Sequence, residues 1–269
     1  MEPDYEALAA LLPHIAAQLR SGLSNFYLAA ARLAPPETRE MDPDLDAHAA
    51  ILDQNYYRLL RMVSGLSAAI YLMDDSPLPM RDGDLAALVR EVCGEVEGVL
   101  PFLGLRLQVK CAMSHHICAM NEEAMEQVLY HLLTNACRHT PSGGVITVEL
   151  TVRDQQIHLS VSDTGQGIPE KKLALLFERR IQPGASEPLS CSLGLGLPFC
   201  RRVAEAHNGS LLAVSRPGEG SRFLLSFPDR QIGGGVSDMP FDYSGGFNRA
   251  LLALADMLPA EAFRIRNRD

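Results

Sequence analysis

Between residues 45 and 73 two apolar series run side by side. Ala49, Tyr56, Val63 and Ile70 form one, Leu52, Leu59, Leu66 and Met73 the other, and each steps by seven. A seam kept over about four heptads specifies a long helix that packs lengthwise against others. A stripe precedes it: Ile15, Leu19, Leu23, Phe26, Ala30 and Leu33 recur in steps of three and four, and Ala34-Pro35-Pro36 stops that helix. A hairpin of two such helices cannot bury both seams alone. Two copies joined as a four-helix bundle would, so a homodimer is expected.

After the break DDSPLPMRDG at 74–83 the pattern changes. A helix is expected at 84–100, strands at 105–110 and 116–120, and a helix at 122–139 opening after Asn121. Two strands, 145–152 and 156–163, turn at Arg153-Asp154-Gln155. A short helix at 170–177, a Pro/Gly/Ser-rich loop at 181–192, a helix at 194–207 and a strand pair at 210–215 and 222–227 complete the pattern. Hairpin-like strand connections mixed with helices specify an α+β sandwich, not a doubly wound parallel sheet. The expected division is a helical hairpin over 1–75, a linker at 76–83, the sandwich over 84–228, and a linker with a helical tail over 229–269. The tail ends in NRALLALADMLPAEAF and is expected to pack back on the body.

The chain has 269 residues, 47% hydrophobic and 21% charged, with a net charge of −9 and no Trp. Such a balance offers no general attraction to nucleic acid or anionic lipid. The acidic N-terminus is unlike a signal peptide, and the longest apolar stretches, such as LSAAIYLM at 66–73, fall far short of a membrane span. A cytoplasmic location without membrane insertion is therefore expected. The six cysteines, at 93, 111, 118, 137, 191 and 200, include no C-x-x-C pair and are read as reduced thiols. Cys111, His115, His116 and Cys118 supply metal-ligating types but lack the usual ligand spacing, which disfavours a metal there.

Four signals carry chemistry, in order: Asn135 on the polar side of HLLTNACRHT (131–140), Asp163-Thr-Gly165-Gln-Gly167, LLFERR (175–180) with Phe177, and LGLGLPFC (193–200) with glycines opening a helix. Singly, each has an ordinary structural reading. Together they meet the demands of a triphosphate. Backbone N–H groups must approach closely, which glycine permits and a helix N-terminus concentrates. The charge calls for Mg2+, which takes hard oxygen ligands such as an Asn amide. An adenine amine calls for an acceptor, and a carboxylate at a strand end supplies one.

With these residues in place the chain resembles the GHKL (Bergerat-type) ATP-binding superfamily, and within it the bacterial sensor histidine kinases. The four signals look like that family's N, G1, F and G2 boxes. The resemblance covers about residues 10 to 228, including NEEAMEQVLYHLLTNACRHTPSGGVITVEL and EAHNGSLLAVSRPGEGSRFLLSF. It implies ATP and Mg2+ as cofactors, with Asn135 as the metal residue and Asp163 on adenine beside Gly165 and Gly167. Arg138 matches a phosphate-contacting Lys, and His139 matches a Tyr near the nucleotide. Gly194, Leu195 and Gly196 would bring a helix start to the phosphates, with Phe177 anchoring a short lid at 178–193. His131 stands where many members carry a further Asn, so polar support of the metal differs there. The implied reaction is γ-phosphoryl transfer from Mg–ATP to a histidine, then to an aspartate on a response-regulator receiver domain.

The family's phosphoacceptor lies in a motif like H-E-L-R-T-P-L. The matching stretch here is Ala17-Gln18-Leu19-Arg20-Ser21-Gly22-Leu23. Alanine has no nucleophile, and Gln18 replaces an acid with an amide that cannot act as a base. Three explanations stand: an engineered substitution at 17, a natural pseudokinase that signals by conformation and partner docking, or His14 as a substitute acceptor one turn earlier.

Overall fold

The computed structural model describes residues 5–73, 76–173, 175–177, 194–233 and 247–267. They fall into two compact units. One holds 5–73, Gly194, Leu195 and 251–267; the other holds 76–173, 175–177, 196–233 and 247–250.

In the first unit, α1 (Tyr5–Leu33) and α3 (Pro43–Met73) form the hairpin, joined through the short α2 (Pro36–Met41). α2 is a turn of helix that Pro35 and Pro36 start rather than prevent, because proline is tolerated at the first helical position. The heptad series of α3 divide. Ala49, Tyr56 and Val63 are buried, with the Tyr56 ring 4.6 Å from Tyr27 of α1. Leu52 and Leu59 stay 48% and 47% exposed, and Ile15, Leu19 and Phe26 of α1 are exposed as well. So one seam closes the hairpin inside a single chain while the other stays on its surface.

The C-terminal stretch belongs to the same unit. Leu251 and Leu254 of α8 (Arg249–Leu254), Leu258, and Phe263 in the 3-10 turn Ala260–Phe263 are all buried. Arg39, 6% exposed, pairs with Asp46 and Asp53 at 2.9 and 2.8 Å and donates to the Phe263 carbonyl at 3.3 Å. A buried guanidinium is tolerable only with its donors so engaged.

The second unit is an α+β sandwich. Its five-stranded sheet has the order β2-β4-β5-β7-β6, from β2 (Arg106–Cys111), β4 (Val145–Arg153), β5 (Gln156–Asp163), β6 (Ser210–Arg216) and β7 (Gly220–Pro228). β2 pairs parallel with β4, and the other pairs are antiparallel. Rows cross the sheet in register, Val148–Val161–Phe223 and Leu150–Leu159–Leu225, and all six side chains are buried. Against that face pack α4 (Leu85–Val99), α5 (Glu122–His139) and α7 (Gly196–Ala206). The opposite face is polar on β4 and β5, where Arg222 of β7 bonds Glu149 and Ser160, each at 3.0 Å, while Leu212 and Val214 of β6 stand exposed on it. That one-sided patterning is what an antiparallel sheet with helices on one face requires.

Local signals fix the element ends. Asp84 caps α4 by accepting from Ala87 N at 3.0 Å, and Asn121 caps α5 by accepting from Ala124 N at 2.9 Å. Asp154 and Gln155 both adopt positive φ, which suits the two-residue turn between β4 and β5. α6 (Glu170–Leu173) is shorter than the helix expected to reach 177, where residues 175–177 form a turn.

Two stretches expected as linker take part in the sandwich instead. Residues 81–84 form β1 (Arg81–Asp84), antiparallel to β3 (Ile117–Met120). Residues 229–233 follow β7 and are fastened to that pair: Arg230 O accepts from Ala119 N at 2.7 Å, and buried Asp82 accepts from Ile232 N and Gly233 N, both at 2.8 Å. A buried carboxylate with two backbone donors is satisfied, which is why Asp82 can sit in the core. The loop expected at 181–192, the lid at 178–193 and the glycine-rich stretch at 234–246 lie outside the described residues.

Candidate functional site

Helix α5 supplies one wall. His131, Asn135, Arg138 and His139 follow at steps of four, three and one, so they share a helix face while Leu132, Leu133 and Ala136 point into the core. Asn135 is half-buried, and its amide makes no hydrogen bond among the described residues. It lies ~6 Å along the axis from His139.

The second wall is the loop after β5. Alternation along the strand puts Asp163 on the same face as Ile157, Leu159 and Val161, so the last position of an apolar row is a carboxylate, 7% exposed. Its Oδ1 accepts from Gly165 N at 2.8 Å, and Ser221 also bonds it. Burial raises the Asp163 carboxyl above its ordinary value, and the bonds from Gly165 and Ser221 offset part of that rise.

The two walls are joined by main chain. Gln166 N donates to the His139 carbonyl at 3.2 Å, and Gln166 Nε2 lies 3.3 Å from His139 Nδ1. A side chain on Gly165 would run into that same carbonyl, so glycine is required by close approach. Gly167 has φ +69°, and a Cβ there would strike the Arg216 carbonyl.

The third element is the start of α7. A Cβ on Gly196 would come within 2.9 Å of His131 Nδ1, and the His131 ring stacks edge-on against Phe199 at 5.3 Å. His131 therefore packs against the glycine turn.

Of the residues singled out from sequence, Asn135, Arg138, His139, Asp163, Gly165, Gly167 and Gly196 fall in the sandwich unit. Gly194, with φ +69°, and buried Leu195 group with the helical unit, as do His14, Ala17 and Gln18, all three exposed on α1. Sequence reasoning missed the support beneath Asp163. Gly220 has φ +84° and passes against the Asp163 carbonyl, and Ser215 Oγ bridges Ile168 N, Gly220 O and Ser221 Oγ. The glycines of RPGEGSRF signal a turn but not the strand end that it meets. A groove of about 420 Å³, lined by Phe177, Arg201, Glu205, Leu211 and Leu212 among others, shares only Phe177 with the expected set.

The cysteine–histidine cluster separates. His115 pairs with Asp84 at 2.6 Å and His116 with Asp229 at 3.0 Å, while Cys111 Sγ contacts the Met113 carbonyl and Cys118 is buried on β3. The described cysteines are free thiols, and burial pushes Cys93, Cys118 and Cys137 up to about 12. Among the described residues no helix is long and apolar enough to cross a membrane.

A family model, "Histidine kinase-, DNA gyrase B-, and HSP90-like ATPase", matches residues 120–231, the span holding both walls and the glycine turn. Over that span the chain is similar to the ATPase core of histidine kinases. It is 34% identical over 148 residues to the adaptive-response sensory kinase SasA of Parasynechococcus marenigrum, covering 54% of this chain and 38% of that protein. It is 30% identical over 236 residues to the sensor protein IrlS of Burkholderia pseudomallei, covering 85% of this chain and 48% of that protein. The chain thus spans less than half the length of either. Full-length ShkA, solved with AMPPNP, shares the fold with a TM-score of 0.64 at 21% identity, over 82% of this chain and 46% of ShkA.

Proposed function

We propose that this chain is the core of a two-component-type histidine kinase that binds Mg–ATP in the sandwich unit. The observation that carries the reading is the bonding of the α5 face bearing Asn135, Arg138 and His139 to the Asp163–Gly167 loop through the His139 carbonyl.

The donor chemistry fits Mg2+ and a nucleotide. Asn135 offers a neutral amide oxygen on a half-exposed face, which suits a hard cation that keeps most of its waters. Asp163 is a buried acceptor of the kind an adenine amine takes, held in place by Gly165 and Ser221. Arg138 and the first N–H groups of α7 offer positive potential for phosphates. Gly194, Leu195 and Gly196 make up the turn into that helix. Bound Mg2+ would neutralise phosphate charge, and catalysis in this class rests on positioning and such neutralisation. The chain's own part is to fix the base, exclude side-chain bulk at Gly165 and Gly167, and present donors.

The hairpin would be the dimerisation and acceptor element, with exposed Ile15, Leu19, Phe26, Leu52 and Leu59 as the surface a second copy covers. A response-regulator receiver domain would be the downstream partner. The setting would be cytoplasmic.

Ala17 favours a second reading. It is exposed on α1 where the acceptor would stand, and it has nothing to phosphorylate. On that reading the chain is an ATP-binding pseudokinase that signals by conformation and partner docking. His14, also exposed, is the substitute acceptor to check. Incubation with γ-labelled ATP and Mg2+, comparing the chain with Ala17→His and His14→Ala, separates these. Label only in Ala17→His means a kinase core lacking its acceptor. Label in the parent that His14→Ala removes means substitution by His14. Label in none means a pseudokinase. Asn135→Ala is expected to abolish Mg-dependent nucleotide binding in calorimetry; unchanged affinity would sink the site.

A further inference from the structure

The sheet of the sandwich has one face covered by helices and one open face, and register with alternation fixes what stands on the open one. One row crosses all five strands, from Lys110 of β2 through Glu149 and Ser160 to Leu224 and Leu212. In the row beside it, Arg222 of β7 stands between Ser162 and Val214. Arg106, Arg153 and Arg216 share that face at the ends of β2, β4 and β6. The strands thus present five exposed cations there and one carboxylate, Glu149, in a chain whose net charge is −9. Asp154 and Glu219 stand in the turns at the rim.

Three of those cations are not answered within the fold. Because Ser160 is small and buried, Arg222 reaches across β5 to it and to Glu149, which engages the one carboxylate on the strands. Arg216 pairs with Glu219 at 3.6 Å, where both side chains are mainly exposed and the attraction is weak. Among the described residues no carboxylate pairs with Arg106, Lys110 or Arg153. Arg106 reaches only the Gly143 carbonyl, at 3.5 Å.

The same face has an apolar corner. Leu212 and Val214 are 55% and 67% exposed, beside half-buried Leu224, where a solvated sheet face ordinarily carries polar residues. Edge protection accounts for Arg106 and Lys110, since β2 is an outer strand and charge there deters strand addition. It does not account for Arg153 and Arg222 on inner strands, nor for the bare apolar pair on β6, the other edge. Unanswered cations beside an exposed apolar corner complement a surface that is acidic and apolar in turn.

We propose that this open sheet face docks an acidic segment of a partner protein, with apolar side chains over Leu212 and Val214 and carboxylates over Lys110 and Arg106. Five strands at the usual spacing of about 4.8 Å span about 19 Å, the reach of about six extended residues. A segment lying across them has its apolar end on β6 and its acidic end on β2. Nucleic acid fits the face less well. No Phe, Tyr or Trp points from its strands to stack a base, and the net charge of −9 repels a phosphate backbone. The face lies away from α5 and α7, so the docking does not rest on the nucleotide reading.

The full chain and a labelled, acetylated peptide, Leu-Ile-Ser-Glu-Asp-Glu, test it at low salt. The chain has three lysines, 110, 171 and 172, so carbodiimide coupling of peptide carboxylates to lysine reports the site directly. Coupling is expected at Lys110, at least fivefold above Lys171 and Lys172. In fluorescence anisotropy Lys110→Glu is expected to weaken binding at least tenfold, and Leu212→Ser with Val214→Ser at least threefold. Arg32→Glu, an equal charge reversal at an exposed site on α1, is expected to change it less than twofold. No binding at millimolar peptide, equal coupling at the three lysines, equal loss in Lys110→Glu and Arg32→Glu, or unchanged affinity in the Leu212–Val214 variant overturns the proposal. Tighter binding of a single-stranded oligonucleotide that Lys110→Glu removes also overturns it, in favour of nucleic acid. Self-association of the parent that Lys110→Glu abolishes overturns it in favour of a second copy. Should Lys110→Glu lose its folding transition, Arg106→Glu reverses charge on the same strand.

Discussion

The main-chain carbonyl of His139, the last residue of α5, accepts the N–H of Gln166 at 3.2 Å. That bond joins the helix bearing the polar face to the loop bearing the buried acid. It also sets the space available between them, since Gly165 lies directly against the same carbonyl.

Gly165→Ala is therefore expected to cost about 1–3 kcal/mol, the usual penalty for forcing atoms into a packed contact, and to weaken ATP binding at least tenfold. Gly98→Ala is the control: it lies in α4 with nothing within 4 Å of its added Cβ and should gain up to about 1 kcal/mol from helix propensity. Thermal unfolding and calorimetry read both. An unchanged melting temperature in Gly165→Ala would show that the loop does not need this close approach.

Asp163 should give a pH dependence opposite to that of a salt-bridged acid. Burial raises its carboxyl, so between the ordinary value of 3.8 and the raised native value the unfolded chain is ionised while the native chain keeps its proton. Stability therefore falls as pH climbs through that window and is level above it. The difference between parent and Asp163→Ala in urea unfolding, followed from pH 3.5 to 7, is expected to carry this slope. A difference independent of pH would contradict it.

His207 points the other way. It is buried, with Nδ1 2.8 Å from Val203 O and Nε2 accepting from Asn121 N at 3.1 Å, and burial lowers its pKa. Below 6.5 the unfolded imidazole takes a proton that the native one refuses, so stability falls with pH below 6.5 and is flat above. His207→Gln should flatten that slope while costing about 1–3 kcal/mol at pH 8 from the disturbed α5 cap. Parallel pH profiles for parent and variant would assign the slope to another group.

Leu52→Glu with Leu59→Glu places charge on the exposed seam of α3 and leaves the buried Ala49–Tyr56–Val63 seam intact. The double variant is expected to sediment as a monomer with unchanged helix content, and the parent as a dimer. A dimeric double variant would move the dimer surface elsewhere.

The wall that α5 and the loop after β5 build together was legible in sequence because its demands are local. Asn121 announced the start of α5, the Arg153-Asp154-Gln155 turn fixed the β4–β5 hairpin, and the D-x-G-x-G spacing put an acid at a strand end before two close approaches. Ser215 and Gly220 were not legible. They support Asp163 from a hairpin more than fifty residues away, and nothing in their own neighbourhood says which strand end they will meet. Asp82 was hidden for the same reason, since its partners at 232 and 233 lie at the far end of the sandwich.

Period and spacing by themselves determined that two long helices precede an α+β sandwich, and that a polar helix face and a glycine loop stand in it. They established that α3 carries two apolar series but not what covers each one. Only tertiary structure decided that the Tyr56 series closes against α1, that the Leu52 series is left on the surface, and that residues 251–267 lie along α3. Repeats along a chain report which face of an element must be covered, whereas the cover comes from segments as far as 224 residues distant, chosen by shape and by backbone bonds that leave no local trace.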